Sequence, residues 1–271
     1  MKIRFCNHEN FVNIFKIFHP DIYEKKYINN RKKYLRTWNF CKDCKLHFSK
    51  SSHSINEAEL YKKFYRSNKS AYRSRNQEEN FLKIIKLKKS ESETLNRIDR
   101  IKKFFKEKKF SLKNSSNVLD VGGASGVFAY LLKKQMKLKN INVIDLSDHG
   151  EFLKKYKINY IQKDIMKFKN NVKFDLITCN FVLEHLDNPL RLIKKMLSLL
   201  KKNGLLYIEV PSGISFKKYN KNHDTFNSTH KFIFTKLSFN ELSYRSDFKI
   251  INFNQGKNKR GYYYLGVYVA K

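Results

Sequence analysis

Asp120-Val121-Gly122-Gly123-Ala124-Ser125-Gly126 places a carboxylate near the end of an apolar run and follows it with a glycine-rich turn. Gly122, Gly123 and Gly126 permit positive φ there and let a ligand approach bare backbone amides. Two more acids, Asp145 and Asp164, and the amide of Asn180 stand where later apolar runs end. A carboxylate in the position of Asp145 can accept hydrogen bonds from both hydroxyls of a ribose. Glu184, His185 and His230 add a carboxyl and two imidazoles, groups that move protons near neutral pH. Cys6, Cys41 and Cys44 are three of only four cysteines, and the fourth is Cys179. Two residues separate Cys41 from Cys44, the gap that lets both thiolates reach one tetrahedral metal. His8 is the nearest further ligand, with Glu9 and His47 as fallbacks. A redox pair or reduced structural thiols are the other uses open to these cysteines.

The elements that must position these groups alternate. Val118, Leu119 and Val121 read as a buried strand that feeds the glycine turn and then a helix. Further strands are expected over 141–145, 159–162, 174–180 and 205–210, with helical segments between them. This alternation predicts a mostly parallel sheet with helices on both faces. Ligands bind such sheets at the carboxyl ends of the strands, so four polar strand ends on one edge predict a nucleoside-type ligand. Asn188-Pro189 should open an amphipathic helix over 190–200, closed at Lys202-Asn203-Gly204 by the glycine. Lys86 to Lys89 and Arg100 to Lys109 fall in helical patterns, where Leu95, Ile98, Ile101 and Phe105 keep an apolar stripe and the charges form solvated faces. Thr235 is expected to cap a helix whose apolar side is Leu237, Phe239 and Leu242. Ser54-Ile55-Asn56-Glu57 reads as a capping box. Asp175, at the start of its strand, is expected to be structural.

On these residues the chain resembles the class I S-adenosylmethionine-dependent methyltransferases, from about Ser115 to Lys271. The family's acid-x-Gly-x-Gly-x-Gly motif is present with Ala124 in place of the middle glycine. The resemblance implies a Rossmann-like α/β fold with a seven-stranded methyltransferase sheet and S-adenosylmethionine as cofactor. It also implies a closing antiparallel hairpin from Phe248-Lys249-Ile250-Ile251 and residues 262–270. Asp120, Gly122, Gly123 and Gly126 would form the cofactor loop, and Asp145 with Leu146 would hold the ribose. Asp164 and Ile165 would flank the adenine, and Asn180 would face the methionine end.

The order of features before residue 79 resembles one branch of that family, which carries a small zinc-knuckle module ahead of the catalytic domain. By that resemblance residues 1–78 are the module and linker, and 79–271 the methyltransferase domain. Cys6, His8, Cys41 and Cys44 would hold a structural zinc. Many members of the branch modify sugars or other small metabolites, so a sugar or nucleotide-linked sugar is the expected acceptor. In some of them a Glu-His pair acts as base in the insert after the fifth strand; here the pair reads Thr229-His230. His185, beside Glu184, is the other candidate base. Tyr61 and Tyr65 would pack the module onto the domain or wall the acceptor. An RNA or tRNA methyltransferase and a non-catalytic cofactor-binding module are the alternatives.

The 271 residues carry a formal net charge of +33, which invites a nucleic-acid reading. Lysine predominates over arginine, however, and the lysines are spread along the whole chain, whereas bidentate phosphate contacts favour arginine. Only non-specific, salt-sensitive binding to nucleic acid is therefore expected. No apolar stretch has the length of a membrane span, and the charged N-terminus lacks the apolar core of a signal peptide. With reduced thiols, this points to a cytoplasmic protein without membrane insertion.

Overall fold

The computed structural model of the chain describes residues 6, 8–25, 28, 34–52, 76–169, 171–246 and 248–270. The capping box at 54–57 and Tyr61 and Tyr65 lie outside the described residues. Three strands come first, β1 (Phe11–Ile17), β2 (Arg36–Cys41) and β3 (His47–Ser51), paired antiparallel in that order. Then follow β4 (Asn117–Val121), β5 (Asn140–Asp145), β6 (Asn159–Gln162), β7 (Phe174–Asn180) and β8 (Leu200–Pro211). Short β9 (Phe232–Ile233) precedes the terminal hairpin of β10 (Lys249–Lys257) and β11 (Tyr263–Ala270).

The large sheet has seven strands in the order β10-β11-β8-β7-β4-β5-β6. Strands β8, β7, β4, β5 and β6 run parallel, and β11 is antiparallel to both its neighbours. This is the expected methyltransferase sheet. Side-chain alternation explains its burial. Leu119, Val121, Ile177, Cys179, Leu206 and Ile208 pack one face, while Val118, Leu176, Leu205 and Tyr207 pack the other. Strands apolar on both faces must sit inside a parallel sheet covered by helices. The order reverses between β4 and β7, and a crevice opens there at the carboxyl ends.

Helix Glu93–Glu107 starts at Ser92, whose Oγ accepts from the Leu95 amide at 3.2 Å. It buries Ile98, Ile101, Phe104 and Phe105, and Phe104 stacks on Tyr268 at 3.7 Å between ring centroids. Asp175 is structural as expected, accepting from the Asn117 amide at 2.7 Å and from Lys201.

Five local expectations are corrected. The helix opened by Asn188 spans Pro189–Leu199, and Leu200 already has extended backbone and begins β8. The left-handed residue after it is Asn203 (φ 67°), so Gly204 is no helix terminator; a Cβ there would meet the Phe174 carbonyl at 2.9 Å. Lys86 to Lys89 follow helix Gln77–Ile85 in a turn. Arg100 faces a buried carboxylate and not solvent. Finally, Thr235 does cap helix Lys236–Tyr244, but Leu237 is exposed, and Phe239 and Leu242 alone of the expected trio enter the core.

β9 pairs with β3, His47 opposite Ile233 and Phe48 opposite Phe232. The small sheet thus takes its fourth strand from the insert that follows β8. Trp38, Phe226 and Ile233 form a satellite core beneath it. Arg36 donates to the Phe226 carbonyl at 2.6 Å, and Asp21 accepts from the Ser228 amide at 2.5 Å and its hydroxyl at 2.7 Å. The N-terminal strands therefore fix the insert that carries His230.

Candidate active site

The glycine turn is built by contact. Gly122 (φ 70°) leaves no room for a Cβ, which would lie 2.4 Å from Val182. Gly126 (φ 69°) caps helix Val127–Met136, and a Cβ there would lie 2.2 Å from Leu153. At Gly123 the Cβ would collide with Asp120 at 2.5 Å. Ala124 is itself left-handed (φ 46°), so the alanine in the glycine's place carries backbone strain of about 1 kcal/mol. Its amide donates to Asp145 Oδ2 at 2.8 Å, while Asp145 Oδ1 accepts from the Ser147 amide and hydroxyl. Asp145 thereby ties the end of β5 to the loop. Asp120 is buried, and its Oδ1 accepts from Thr178 at 2.8 Å. No hydrogen-bond partner reaches its Oδ2 among the described residues. Burial, opposed by Thr178 and Arg97, pushes its carboxyl up to about 7.

A cavity of about 410 Å³ opens beside this turn. Gly122, Asp145 and Asn180 line it together with Glu184, His185 and His230. Gly123 and Gly126 shape the loop from behind. Asp164 caps a short turn through the Met166 amide, and Ile165 packs against the core. Asp164, Ile165 and Leu146 do not line the cavity.

Glu184 and His185 lie in the turn Leu183–His185 that follows β7. The Glu184 carbonyl accepts from the Lys231 amide at 2.7 Å, which brings the insert over this turn. Glu184 is fully buried, and neither carboxylate oxygen has a hydrogen-bond partner among the described residues. Burial pushes its carboxyl up to about 8. His185 Nδ1 donates to the Thr229 carbonyl at 2.9 Å, and His230 Nδ1 to the Thr225 carbonyl at 2.8 Å. Burial lowers the two imidazoles to about 3 and about 4, so both are neutral near pH 7. Their rings lie 5.0 Å apart, and His185 Nε2 is 3.9 Å from Glu184 Oε1. Thr229 stands where a glutamate was sought, and Glu184 places a carboxyl beside the two imidazoles.

Sequence reasoning missed the opposite wall. Arg97 donates two hydrogen bonds to Glu209 Oε1, at 2.8 and 2.7 Å. Arg100 bridges Glu209 Oε2 (3.0 Å) and Glu93 (2.8 Å), and Tyr207 donates to Oε2 at 2.5 Å. Despite complete burial, the two guanidiniums hold Glu209 below the usual carboxylate range. Phe181, left-handed at φ 54°, is held by its backbone N–H, which donates to the Glu209 carbonyl (2.7 Å), and lies under Arg97. A lone acid inside the apolar run Leu205-Leu206-Tyr207-Ile208-Glu209-Val210 was the signal available for this network.

Away from the cavity, Cys6, His8, Cys41 and Cys44 converge, with one ligand atom from each lying within 4.8 Å of all the others. Cys6 Sγ is 3.7 Å from Cys41 Sγ, and Cys44 Sγ is 3.4 Å from His8 Nδ1. A tetrahedral site with Zn–S bonds of about 2.3 Å requires sulfur–sulfur edges of about 3.8 Å. The four buried donors therefore fit a zinc ion. Glu9 and His47 take no part in this group.

Residues 91–252 match the family described as "Methyltransferase domain". The ubiquinone biosynthesis O-methyltransferase of Coxiella burnetii (strain Dugway 5J108-111) is 32% identical over 119 residues, 42% of this chain and 50% of that protein. The trans-aconitate 2-methyltransferase of Enterobacter sp. (strain 638) is 29% identical over 111 residues, 39% and 43% of the two chains. The chain thus spans about half the length of the curated relatives it matches. Among solved structures, magnesium protoporphyrin IX methyltransferase from Synechocystis PCC 6803 with bound SAM superposes with a TM-score of 0.54. It shares 11% identity, over 81% of this chain and 99% of that one. The plantazolicin methyltransferase BpumL in complex with a pentazolic analog and SAH gives a TM-score of 0.55 at 17% identity, over 73% and 90%. These likenesses show the same fold.

Proposed function

The chain belongs to the methyltransferase-domain family, and on that premise we propose that it moves a methyl group from S-adenosylmethionine to a small polar acceptor. One observation carries this reading: a single cavity is lined both by Gly122 and Asp145 and by Glu184, His185 and His230. Cofactor and acceptor would meet between them. Asp145 would take the ribose, and the Gly122–Gly126 turn would approach the methionine part. Leu146, Asp164 and Ile165 would border the adenine once it is bound, and Asn180 would face the methyl donor. The acceptor would lie toward Asp224, Asn227, Arg260 and Tyr262, a polar lining suited to the hydroxyls of a sugar or nucleotide-linked sugar.

In the transfer the sulfur–methyl bond breaks as the acceptor heteroatom forms the new bond. The sulfonium becomes a neutral thioether, and the acceptor's proton leaves toward the lone pairs of the His185–His230 pair. Burial of the site keeps water from competing for the methyl group. Cys6, His8, Cys41 and Cys44 would hold a structural zinc in the module of residues 1–78, bracing the insert from outside the methyltransferase domain of residues 79–271. Four free thiols fit work in the cytoplasm. Among the described residues no helix is long and apolar enough to cross a membrane. Nucleic acid would bind only through the diffuse positive charge.

The test is calorimetric titration with S-adenosylmethionine on wild type and Asp145→Ala, followed by labelled-methyl transfer to a small-molecule extract and to RNA. Binding should weaken about tenfold or more in the variant, about 1.4 kcal/mol. No binding to folded wild type would overturn the reading, and label in RNA alone would overturn the small acceptor.

A further inference from the structure

We infer that Glu184, His185 and His230 form a divalent-cation site, separate from the cysteine cluster, that binds the acceptor's oxygen. The inference rests on the methyl-transfer reading and deepens it: the two imidazoles would act through a bound ion and not as free bases.

Four features of the site point to a cation. One ligand atom from each of the three residues lies within 4.8 Å of the other two, so a single ion can reach all three. Glu184 is fully buried, yet neither of its oxygens has a hydrogen-bond partner among the described residues. An orphaned buried carboxylate is costly, and a cation at bonding distance removes that cost. Each imidazole donates Nδ1–H to a backbone carbonyl, His185 to Thr229 and His230 to Thr225. That second bond is how metal-binding histidines are held with Nε2 aimed at the ion. Finally, all three residues line the cavity, leaving the remaining coordination positions of an ion facing it.

Two histidines and one carboxylate on one side, with open positions on the other, suit a first-row ion such as Mn²⁺, Fe²⁺ or Zn²⁺. An acceptor hydroxyl that replaces water on such an ion becomes more acidic. The hydroxyl proton then passes to solvent, the oxygen–carbon bond forms as the sulfur–carbon bond breaks, and the cation is unchanged.

Mn²⁺ and zinc separate the two sites, because thiolates select zinc while nitrogen and oxygen ligands accept manganese. Protein carrying a single equivalent of zinc, which the thiolates hold, is titrated with Mn²⁺, followed by the electron paramagnetic resonance of the free ion, and S-adenosylmethionine affinity is measured on the same samples. Wild type should bind one Mn²⁺ per chain, and Glu184→Gln and His230→Ala should each weaken it about tenfold or more. Cofactor affinity should stay near the wild-type value in His230→Ala, which also carries the test if Glu184→Gln does not fold. Wild type that binds S-adenosylmethionine but no Mn²⁺, or Mn²⁺ affinity unchanged in His230→Ala, overturns the cation site and leaves the imidazoles as direct bases. Mn²⁺ binding without cofactor binding would instead overturn the methyl-transfer reading.

Discussion

Asp120→Asn should make the protein more stable at alkaline pH and change how its stability depends on pH. The side chain is buried at the floor of the cofactor turn, with Thr178 and Asn180 from β7, Arg97 from helix Glu93–Glu107 and Asp145 from β5 acting on it. Burial outweighs the favourable partners and raises the carboxyl from 3.8 to about 7. A carboxyl raised on folding binds its proton more tightly in the native than in the unfolded chain. Its contribution to stability therefore falls as pH rises from about 4 to about 7 and is flat above that. Over pH 5 to 8 the two-state proton balance gives a loss of about 3 kcal/mol for this one group. The amide variant keeps the oxygen that accepts from Thr178 and does not titrate, so the difference between variant and wild type isolates Asp120. Urea denaturation of both proteins at pH 5, 6, 7 and 8 measures it, with the variant gaining on wild type at each step up to about pH 7. S-adenosylmethionine should shrink that gap, because its sulfonium and ammonium favour the ionised carboxylate that Arg97 alone offsets poorly. Parallel stability curves for the two proteins would refute the argument, since a solvated or fully compensated Asp120 would produce no difference.

Three further outcomes follow from contacts in and around the site. Gly126→Ala should destabilise by about 2–4 kcal/mol, from left-handed strain plus overpacking against Leu153; in a cycle with Leu153→Ala the steric part, about 1–3 kcal/mol, should vanish, and additive urea midpoints would contradict it. Arg97→Met should cost about 3 kcal/mol, because Arg100 and Tyr207 compensate only part of the charge left on Glu209. An unchanged melting temperature would show the pair to be dispensable. Cys44→Ser should remove one equivalent of zinc and lower the melting temperature without abolishing cofactor binding, since the cysteine cluster lies apart from the cavity. Equal metal content in variant and wild type would remove zinc from that cluster.

The large sheet was legible because its strands are apolar on both faces and end in polar residues, a pattern that survives without knowledge of partners. β7 occupies the expected residues 174–180, and the acids at 120 and 145 stand at the strand ends that face the crevice. The cysteine spacing likewise announced the group at Cys41 and Cys44, and His8 joins it in space. What stayed hidden depends on distance along the chain. Arg97 meets Glu209 across 112 residues, and no local period marks either as half of a pair. β9, two residues long, has no strand signature of its own and is defined by pairing with β3. The helix stop at 200–204 shows the same limit, where the pull of β8 on Leu200 overrides the glycine rule.

That β3–β9 pairing carries the functional consequence. His230 follows a loop anchored by Asp21 to Ser228 and leads into the strand that β3 holds. Its Nδ1 is fixed by Thr225, while the adjacent Thr229 carbonyl fixes His185. The position of both imidazoles therefore depends on Asp21 and β3, which do not themselves line the cavity. Removing the tie by Asp21→Asn weakens acceptance from both the Ser228 amide and its hydroxyl. The turn over Asp120 and Asp145 shares no contact with that tie, so cofactor affinity should hold while the Mn²⁺ affinity and the turnover number fall together. Loss of cofactor affinity in Asp21→Asn would show that the small sheet supports the whole domain and not the acceptor side alone.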